Sequence, residues 1–237
     1  MLEKGRVVTN MHISVIGLGG VGSILVERLG RFINFSSDLN PTILLVDGDT
    51  YENKNYERQE FSQIGNKAEI KAMELSMKFP QLKLDSFEAY VNETNLTDAI
   101  RTGDVVFLCV DNHKTRNIVN TYCKQLTDIT LISGGNEFED GNVQVYIRQG
   151  SKDLTPDLAS YHPEIANPDD QLPEELSCEQ LSQSEPQLYF ANLGVATLMC
   201  WAFYNSVVKQ QYERSEIYFD IRTMTADAKI RILKQSD

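Results

Sequence analysis

HISVIGLGGVGSI (residues 12–24) and TILLVDGDTYENKNYERQEFSQIGNK (residues 42–67) are the stretches on which the reading of this chain turns. In the first, His12 to Gly17 alternates into a short buried strand, and a helix from Val21 to Ile33 begins at the glycines. A glycine turn between strand and helix exposes backbone N–H groups at a helix N-terminus, where phosphate is favoured. Gly17, Gly19, Gly20 and Gly22 therefore let a nucleotide approach the backbone closely. In the second, Thr42 to Asp47 is a continuous apolar strand ending in an acid that can accept both ribose hydroxyls. Alone, this unit implies nucleotide binding without choosing between NAD and ATP, and tight helix–strand packing is the plainer use of its glycines.

The polar string Asp47, Asp49, Asn55, Arg58, Gln59 and Lys67 is more selective. A triphosphate carries roughly three to four negative charges, and an arginine fork with a lysine point charge suits its β and γ phosphates better than a nicotinamide. Asn55 and Gln59 can align phosphates and the attacking group by hydrogen bonds. The plainer alternatives are a solvated basic spot for Arg58 and Lys67 and loop capping for Asn55 and Gln59. Asp111 follows the strand Asp104 to Val110, at the carboxyl edge where ligands of open α/β sheets gather. There it can hold Mg²⁺ against phosphate oxygens or cap the next helix, and Arg116 in that helix can face the pocket or Asp111.

Working outward, an amphipathic helix runs from Asn66 to Phe79 and stops at Pro80. Leu82 to Tyr90 and Ile129 to Ser133 are strands, with helices from about Asn95 to Arg101 and Lys114 to Leu126. This alternation predicts an α/β fold with a Rossmann-like, mainly parallel sheet flanked by helices. Antiparallel strands are expected at the C-terminal side. After a turn at Glu139 to Asn142 these are Val143 to Arg148, then Ile217 to Ile221 paired with Lys229 to Leu233. Pro186 to Tyr212 reads as a long apolar helix, and residues 150–185 form a long acidic crossover loop whose ordering should depend on a partner. The 237 residues are read as a single domain.

A formal charge of -12, from 22 Lys plus Arg against 34 Asp plus Glu, disfavours nonspecific binding to nucleic acid or anionic lipid. The apolar stretches look too short to span a membrane, no leader opens the chain, and Cys109, Cys123, Cys178 and Cys200 show no paired spacing. A cytoplasmic protein with free thiols is expected. Cys109, Cys123 and Cys200 read as packing residues, and Tyr189, Phe190, Trp201, Phe203 and Tyr204 as core or dimer contacts.

In motif order the chain resembles the ThiF, MoeB and HesA superfamily, adenylating domains related to ubiquitin-activating enzymes. The resemblance rests on GLGGVGS (17–23), VDGDTYENKNYERQEF (46–61), IGNKAE (64–69), LCVDNHKTRN (108–117) and the closing YFDIRTMTADAKIRIL (218–233). It implies activation of the C-terminal glycine carboxylate of a small ubiquitin-like, β-grasp protein by Mg·ATP, giving an acyl-adenylate, and a homodimer. Matched residue by residue, Asp47 is the ribose acid, Asn55, Arg58, Gln59 and Lys67 handle phosphates, and Asp111 is the Mg²⁺ carboxylate. Cys178, in the acidic loop, roughly matches the position of a thiol that receives the activated group, although Glu174, Glu175 and Glu179 should raise its pKa.

The chain departs from the family's pattern in three ways. It lacks the two CxxC pairs of zinc-binding members, so no zinc is expected. Only Arg6 precedes the first strand as a candidate to reach a partner's ATP site. The segment from Arg58 to Lys67 is short, as in compact ThiF-like proteins of the PRTRC type. Two other readings stay open: an NAD-dependent oxidoreductase, and a catalytically silent ThiF-like scaffold.

Overall fold

In a computed structural model of the chain, residues 11–57, 59–175 and 188–233 are described, the side chains of Lys54 and Glu174 excepted. β1 (His12–Ile16) passes through the glycine turn into α1 (Gly20–Asn34) and then β2 (Thr42–Val46). A small antiparallel pair, β3 (Thr50–Tyr51) with β4 (Gly65–Asn66), folds the polar stretch back on itself before α2 (Lys67–Lys78). β5 (Lys83–Phe87), α3 (Leu96–Ala99), β6 (Val105–Leu108), α4 (His113–Cys123) and β7 (Ile129–Asn136) continue the alternation. β8 (Asp140–Gln149), β9 (Lys152–Asp153), α5 (Pro163–Ala166), α6 (Tyr189–Phe203), β10 (Glu216–Asp220) and β11 (Thr225–Lys229) complete the described chain.

Nine strands form one sheet in the order β11-β10-β8-β7-β6-β1-β2-β5, with β9 paired to β8. From β5 to β7 all neighbours are parallel, and from β7 to β11 all are antiparallel. This is the expected Rossmann-like α/β sheet with antiparallel strands on its C-terminal side. Period-two alternation builds a core on each face. Ile13, Val15, Val105, Phe107, Ile132 and Val143 pack with α1, α2 and α6, whereas Ile16, Val106, Leu108, Leu131 and Tyr146 pack with α3 and α4. α6 is apolar on all sides because it lies against α1, β7 and β8. Its Phe203 is fully buried, 5.7 Å from Phe107 ring to ring, a burial that contributes about 1.5–3 kcal/mol.

Several elements differ from expectation. The long helix ends at Phe203 and continues as a π-helical turn, Tyr204–Val208. Together, Tyr189–Val208 is long and apolar enough by length and composition to cross a membrane, which corrects the view that no stretch reaches that length; here it is a core-packed helix. The final strand is Thr225–Lys229, not Lys229–Leu233, because a tight turn over 221–224 with Met224 at φ 55° reverses the chain early. Ile230, Ile232 and Leu233, whose alternation suggested the strand, are exposed. The turn expected at Glu139 to Asn142 lies earlier, at 137–139, and Gly141 is inside β8: a Cβ there would stand 2.7 Å from the Gly135 oxygen and 2.8 Å from the Phe219 ring. Residues 151–175 are not the partner-dependent coil expected from their charge. They pack onto α4 and β8 through buried Thr155, Leu158 and Ile165.

Candidate active site

The carboxyl ends of β2, β1 and β6 lie side by side, and β1 is the strand from which the chain winds to both flanks. A crevice at such a reversal is where open α/β sheets take ligands. Gly17 donates its N–H to the Val46 carbonyl (2.9 Å) and has φ +88°, with the Cys109 backbone 3.0 Å from where a Cβ would stand. A Cβ on Gly22 would come 1.9 Å from the Gly17 oxygen, so these two glycines serve close packing of the turn, α1 and the end of β6. Gly20 is the buried first residue of α1. Gly19 is different: a Cβ there would meet only Gln59 Nε2, at 4.0 Å, which leaves open space over the turn.

Asp47 is buried at the tip of β2, where Oδ2 accepts the Leu18 N–H (2.5 Å) and Oδ1 the Asp49 N–H (2.8 Å). Each oxygen keeps a further lone pair for a hydroxyl donor. Burial pushes this carboxyl up, opposed by Lys67, with neighbouring Asp49 adding to the rise. Lys67 is no solvated basic spot: its side chain is 6% exposed and its Nζ sits 2.8 Å from Asp49 Oδ2. The Lys67 N–H also reaches the Asp49 carbonyl (2.9 Å). Asn55 is buried and does cap, its Oδ1 accepting the Glu52 N–H (3.1 Å). Gln59 is 5% exposed and its Oε1 has no hydrogen-bond partner among the described residues, so the capping alternative does not describe it.

Asp111 is exposed immediately after β6 and is not the helix cap; Asn112 caps α4 by accepting the Thr115 N–H (2.7 Å). Arg116 is buried and faces the sheet, donating to the carbonyls of Val110 (2.7 Å) and Gly134 (3.0 Å). It therefore ties the ends of β6 and β7 together, while burial lowers its pKa and Asp111 opposes that. Arg58, Cys178 and Arg6 lie outside the described residues. Burial pushes the thiols of Cys109 and Cys123 up, and that of Cys200 to about 11, as suits packing residues. Among the described residues no group of three or more His, Cys, Asp or Glu side chains is placed to hold a metal ion.

Three contributors escaped the sequence reading. Tyr90 leaves the sheet beyond β5 and donates its O–H to Asp49, and its ring lies 2.6 Å from where a Gly48 Cβ would be. Its pKa is driven up by burial first and then by the Asp49 hydrogen bond and charge, with the charges of Asp47 and Asp111 adding to the rise. Asn66 caps α2 and donates Nδ2–H to the Asp47 carbonyl (3.0 Å). Asp170 accepts the N–H groups of His113 and of Lys114 (2.9 Å) at the start of α4, beside Asp111. IGNKAE carried a capping signal at Asn66; nothing local marked Tyr90 or Asp170.

The sequence pattern of the ThiF family matches residues 3–228, nearly the whole chain. The chain belongs to the ThiF family. Among named relatives, this ThiF-family chain is 31% identical over 157 residues to ubiquitin-like modifier-activating enzyme 5 of Oryza sativa subsp. japonica, covering 59% of the chain and 36% of that protein. It is 29% identical over 141 residues to the tRNA threonylcarbamoyladenosine dehydratase of Haemophilus influenzae, covering 56% and 52%. The chain thus spans about a third to a half of the length of these relatives. Its fold matches E. coli MccB solved with ATP, with a TM-score of 0.70 at 18% identity over 93% of this chain and 63% of that one. Its family relatives include activating enzymes and adenylyltransferases, the latter exemplified by adenylyltransferase and sulfurtransferase MOCS3 of Drosophila virilis, 28% identical over 58% of the chain and 30% of that protein.

Proposed function

We propose that this chain adenylates the C-terminal glycine carboxylate of a small ubiquitin-like protein with ATP. A carboxylate oxygen attacks the α-phosphorus, the bond to the β-phosphate oxygen breaks, pyrophosphate leaves, and a mixed anhydride remains. The attacking carboxylate is already ionised at neutral pH, so the step needs alignment and charge neutralisation more than a base. The observation that carries the reading is the buried Lys67 side chain, paired with the partly exposed Asp49 and set beside Asp47 and the open turn at Gly19. A buried ammonium at the edge of a glycine turn suits a polyphosphate.

In this reading Gly19 and the turn N–H groups face phosphate, Asp47 accepts ribose hydroxyls, and Lys67 with Arg58, Asn55 and Gln59 neutralises and orients the leaving phosphates. Asp111 is the single carboxylate toward Mg²⁺, a donor set that fits an ion completed by substrate phosphate oxygens and water; bound there, the ion would neutralise phosphate charge. Cys178 is the candidate thiol for an onward thioester. A homodimer belongs to the same reading, supported by exposed Phe35, Phe190 and Trp201 on the α1 and α6 side of the molecule. So does a cytoplasmic location, supported by the free thiols of Cys109, Cys123 and Cys200.

The test is ATP–pyrophosphate exchange with Mg²⁺, with and without the small glycine-terminated protein encoded nearest this gene, and with Arg58→Ala as control. Partner-dependent exchange that disappears in the variant is expected. ATP binding without exchange for any such partner would favour a silent scaffold, and NADH binding in place of ATP would sink the proposal.

A further inference from the structure

One turn beyond Lys67, α2 carries a second buried lysine. Lys71 is 3% exposed, yet its Nζ reaches the loop that precedes β4. It donates to the Glu60 carbonyl and to Glu74 Oε2 (2.6 Å), and lies 4.4 Å from the centre of the Phe61 ring. Glu74 completes the hold with its other oxygen, which accepts the Ser62 N–H (2.5 Å). Burial pushes the Glu74 carboxyl up, but its bonds to Lys71 and Ser62 overcome this and keep it below its ordinary value. Phe61 in turn stacks on Tyr51, 4.8 Å ring to ring, and Tyr51 is fixed in β3 opposite Gly65. Three successive residues, Glu60, Phe61 and Ser62, are thus held by one ion pair on α2.

The two lysines hold opposite ends of the polar stretch. Lys67 holds it at Asp49, just after β2, and Lys71 holds it at Glu60, before the chain returns through β4. Asn55, Arg58 and Gln59 lie between these holds in the sequence. Gln59 donates its N–H to the Asn55 carbonyl (3.0 Å), and its Nε2 stands 4.0 Å from where a Gly19 Cβ would be, over the open turn. A shift of Glu60 therefore moves its neighbour Gln59 relative to that turn. Packing alone does not call for a lysine here. A buried ion pair adds little stability over apolar side chains of similar volume, because lost hydration offsets the attraction. Methionine would fill the space but cannot donate to a carbonyl.

We propose that Lys71, paired with Glu74, is a positioning residue that sets the phosphate-handling loop over the glycine turn. The inference rests on the nucleotide part of the adenylation reading. Lys71 does not touch the nucleotide; it acts through Gln59 and its neighbour Arg58 on the β and γ phosphates. AMP keeps the ribose and the α-phosphate but lacks the phosphates that the loop handles, so it should not register the loss of Lys71. The experiment uses the full chain and measures Kd for Mg·ATP and for AMP by calorimetry, together with amide hydrogen exchange over residues 59–64. In Lys71→Met, ATP binding should weaken about tenfold and AMP binding stay within about twofold, while exchange over 59–64 quickens about tenfold. Lys71→Arg should restore both, since it keeps the charge and the donors and has room in the cavity that Lys71, Glu60 and Glu74 line. Glu74→Ala frees the Ser62 N–H and should move both readouts in the same direction, which decides the matter if Lys71→Met does not fold. ATP and AMP weakened equally would reduce Lys71 to general stability and overturn the proposal. So would unchanged ATP affinity, or unchanged exchange over 59–64, in a folded Lys71→Met. A parent chain that binds no ATP would sink the nucleotide reading and this proposal with it, whereas a parent that binds ATP no better than Lys71→Met sinks the proposal alone.

Discussion

Two alanine substitutions three residues apart should separate a glycine required by packing from one required by a ligand. In Gly22→Ala the new Cβ would stand 1.9 Å from the Gly17 oxygen, 2.9 Å from its carbonyl carbon and 3.3 Å from Cys109 Cβ. The nearest contact is roughly 1.5 Å inside van der Waals separation, and the obstructing atoms are backbone that the Gly17–Val46 hydrogen bond fixes. Overpacking at such a place costs about 3 kcal/mol, the upper end of the usual range. The gain of about 0.5–1 kcal/mol from alanine in a helix does not offset that. For a chain of this size each kcal/mol shifts Tm by about 2–4 °C, so the variant should melt about 6–12 °C lower. Gly19→Ala meets only Gln59 Nε2 at 4.0 Å, and Gly19 has no left-handed φ (−71°). Its Tm should stay within about 2 °C of the parent. Its methyl, however, occupies the space over the turn N–H groups, and Kd for Mg·ATP by calorimetry should rise about tenfold or more, equivalent to about 1.4 kcal/mol. Gly22→Ala melting with the parent would refute the packing argument. Unchanged ATP affinity in Gly19→Ala would show that the space over the turn is not the phosphate seat.

Lys67→Met keeps the aliphatic stem but removes the ammonium from Asp49; pyrophosphate exchange should drop about 100-fold or more for a stability loss near 1 kcal/mol, and undiminished exchange would exclude Lys67 from phosphate handling. Glu216 is buried among His162, Tyr218 and Arg231, whose hydrogen bonds overcome burial and lower its pKa to about 2. Because the folded value lies below the ordinary one, the stabilisation is present above pH ~4.5 and is lost as pH falls toward ~2, up to about 3 kcal/mol. A melting profile over that window should flatten in Glu216→Gln, and an identical slope in parent and variant counts against the cluster. Asp170→Ala leaves two N–H groups of α4 without their acceptor, so limited proteolysis within 151–175 should quicken and stability fall by about 1 kcal/mol; an unaltered cleavage rate would mean the segment is held elsewhere. At pH 8 a thiol raised to about 11 is about 0.1% thiolate, so native-state alkylation should spare Cys109, Cys123 and Cys200; peptide mapping that finds any of them modified rapidly contradicts their packing role.

The parallel half of the sheet was readable because its strands are short apolar runs and its helices announce themselves by period and punctuation: glycines before α1, Asn66 before α2, Pro80 after it. Register at the closing hairpin was not readable. Ile230, Ile232 and Leu233 alternate as a half-buried strand should, yet the turn over 221–224 fixes pairing earlier, and local turn geometry outweighs a weak apolar pattern on an edge. The acidic crossover misled for another reason. In its described part, 151–175, Asp157 is held by Lys124 and the Asn120 side chain, Asp170 holds the start of α4, and Leu158 and Ile165 are placed inward. Counting charge without knowing its partners overstates disorder. At the site, Asp47, Asp49, Asn55, Arg58, Gln59 and Lys67 were legible as a polar string, with Asp111 apart from it, but only the fold reveals that Lys67 is clasped by Asp49 and that Tyr90, some twenty residues on, completes the clasp.

That clasp explains how so short a segment between Asp47 and Lys67 still closes on itself. β3 and β4 pair Thr50 with Asn66 and Tyr51 with Gly65, Asn66 takes the Asp47 carbonyl, and the Lys67 N–H takes the Asp49 carbonyl, so the chain returns to its starting point whatever the length of the excursion between. Asp47 stands where these links meet the glycine turn, since its two oxygens accept the Leu18 and Asp49 N–H groups. An asparagine there has one acceptor and one donor, and its NH₂ would confront one of those N–H groups in either orientation. Asp47→Asn would therefore unlatch the turn or the clasp before any ribose is involved. A loss of ATP affinity in that variant says nothing specific about ribose recognition, whereas Lys67 and Gly19, whose replacement leaves the Asp47 latch intact, report on the phosphates directly.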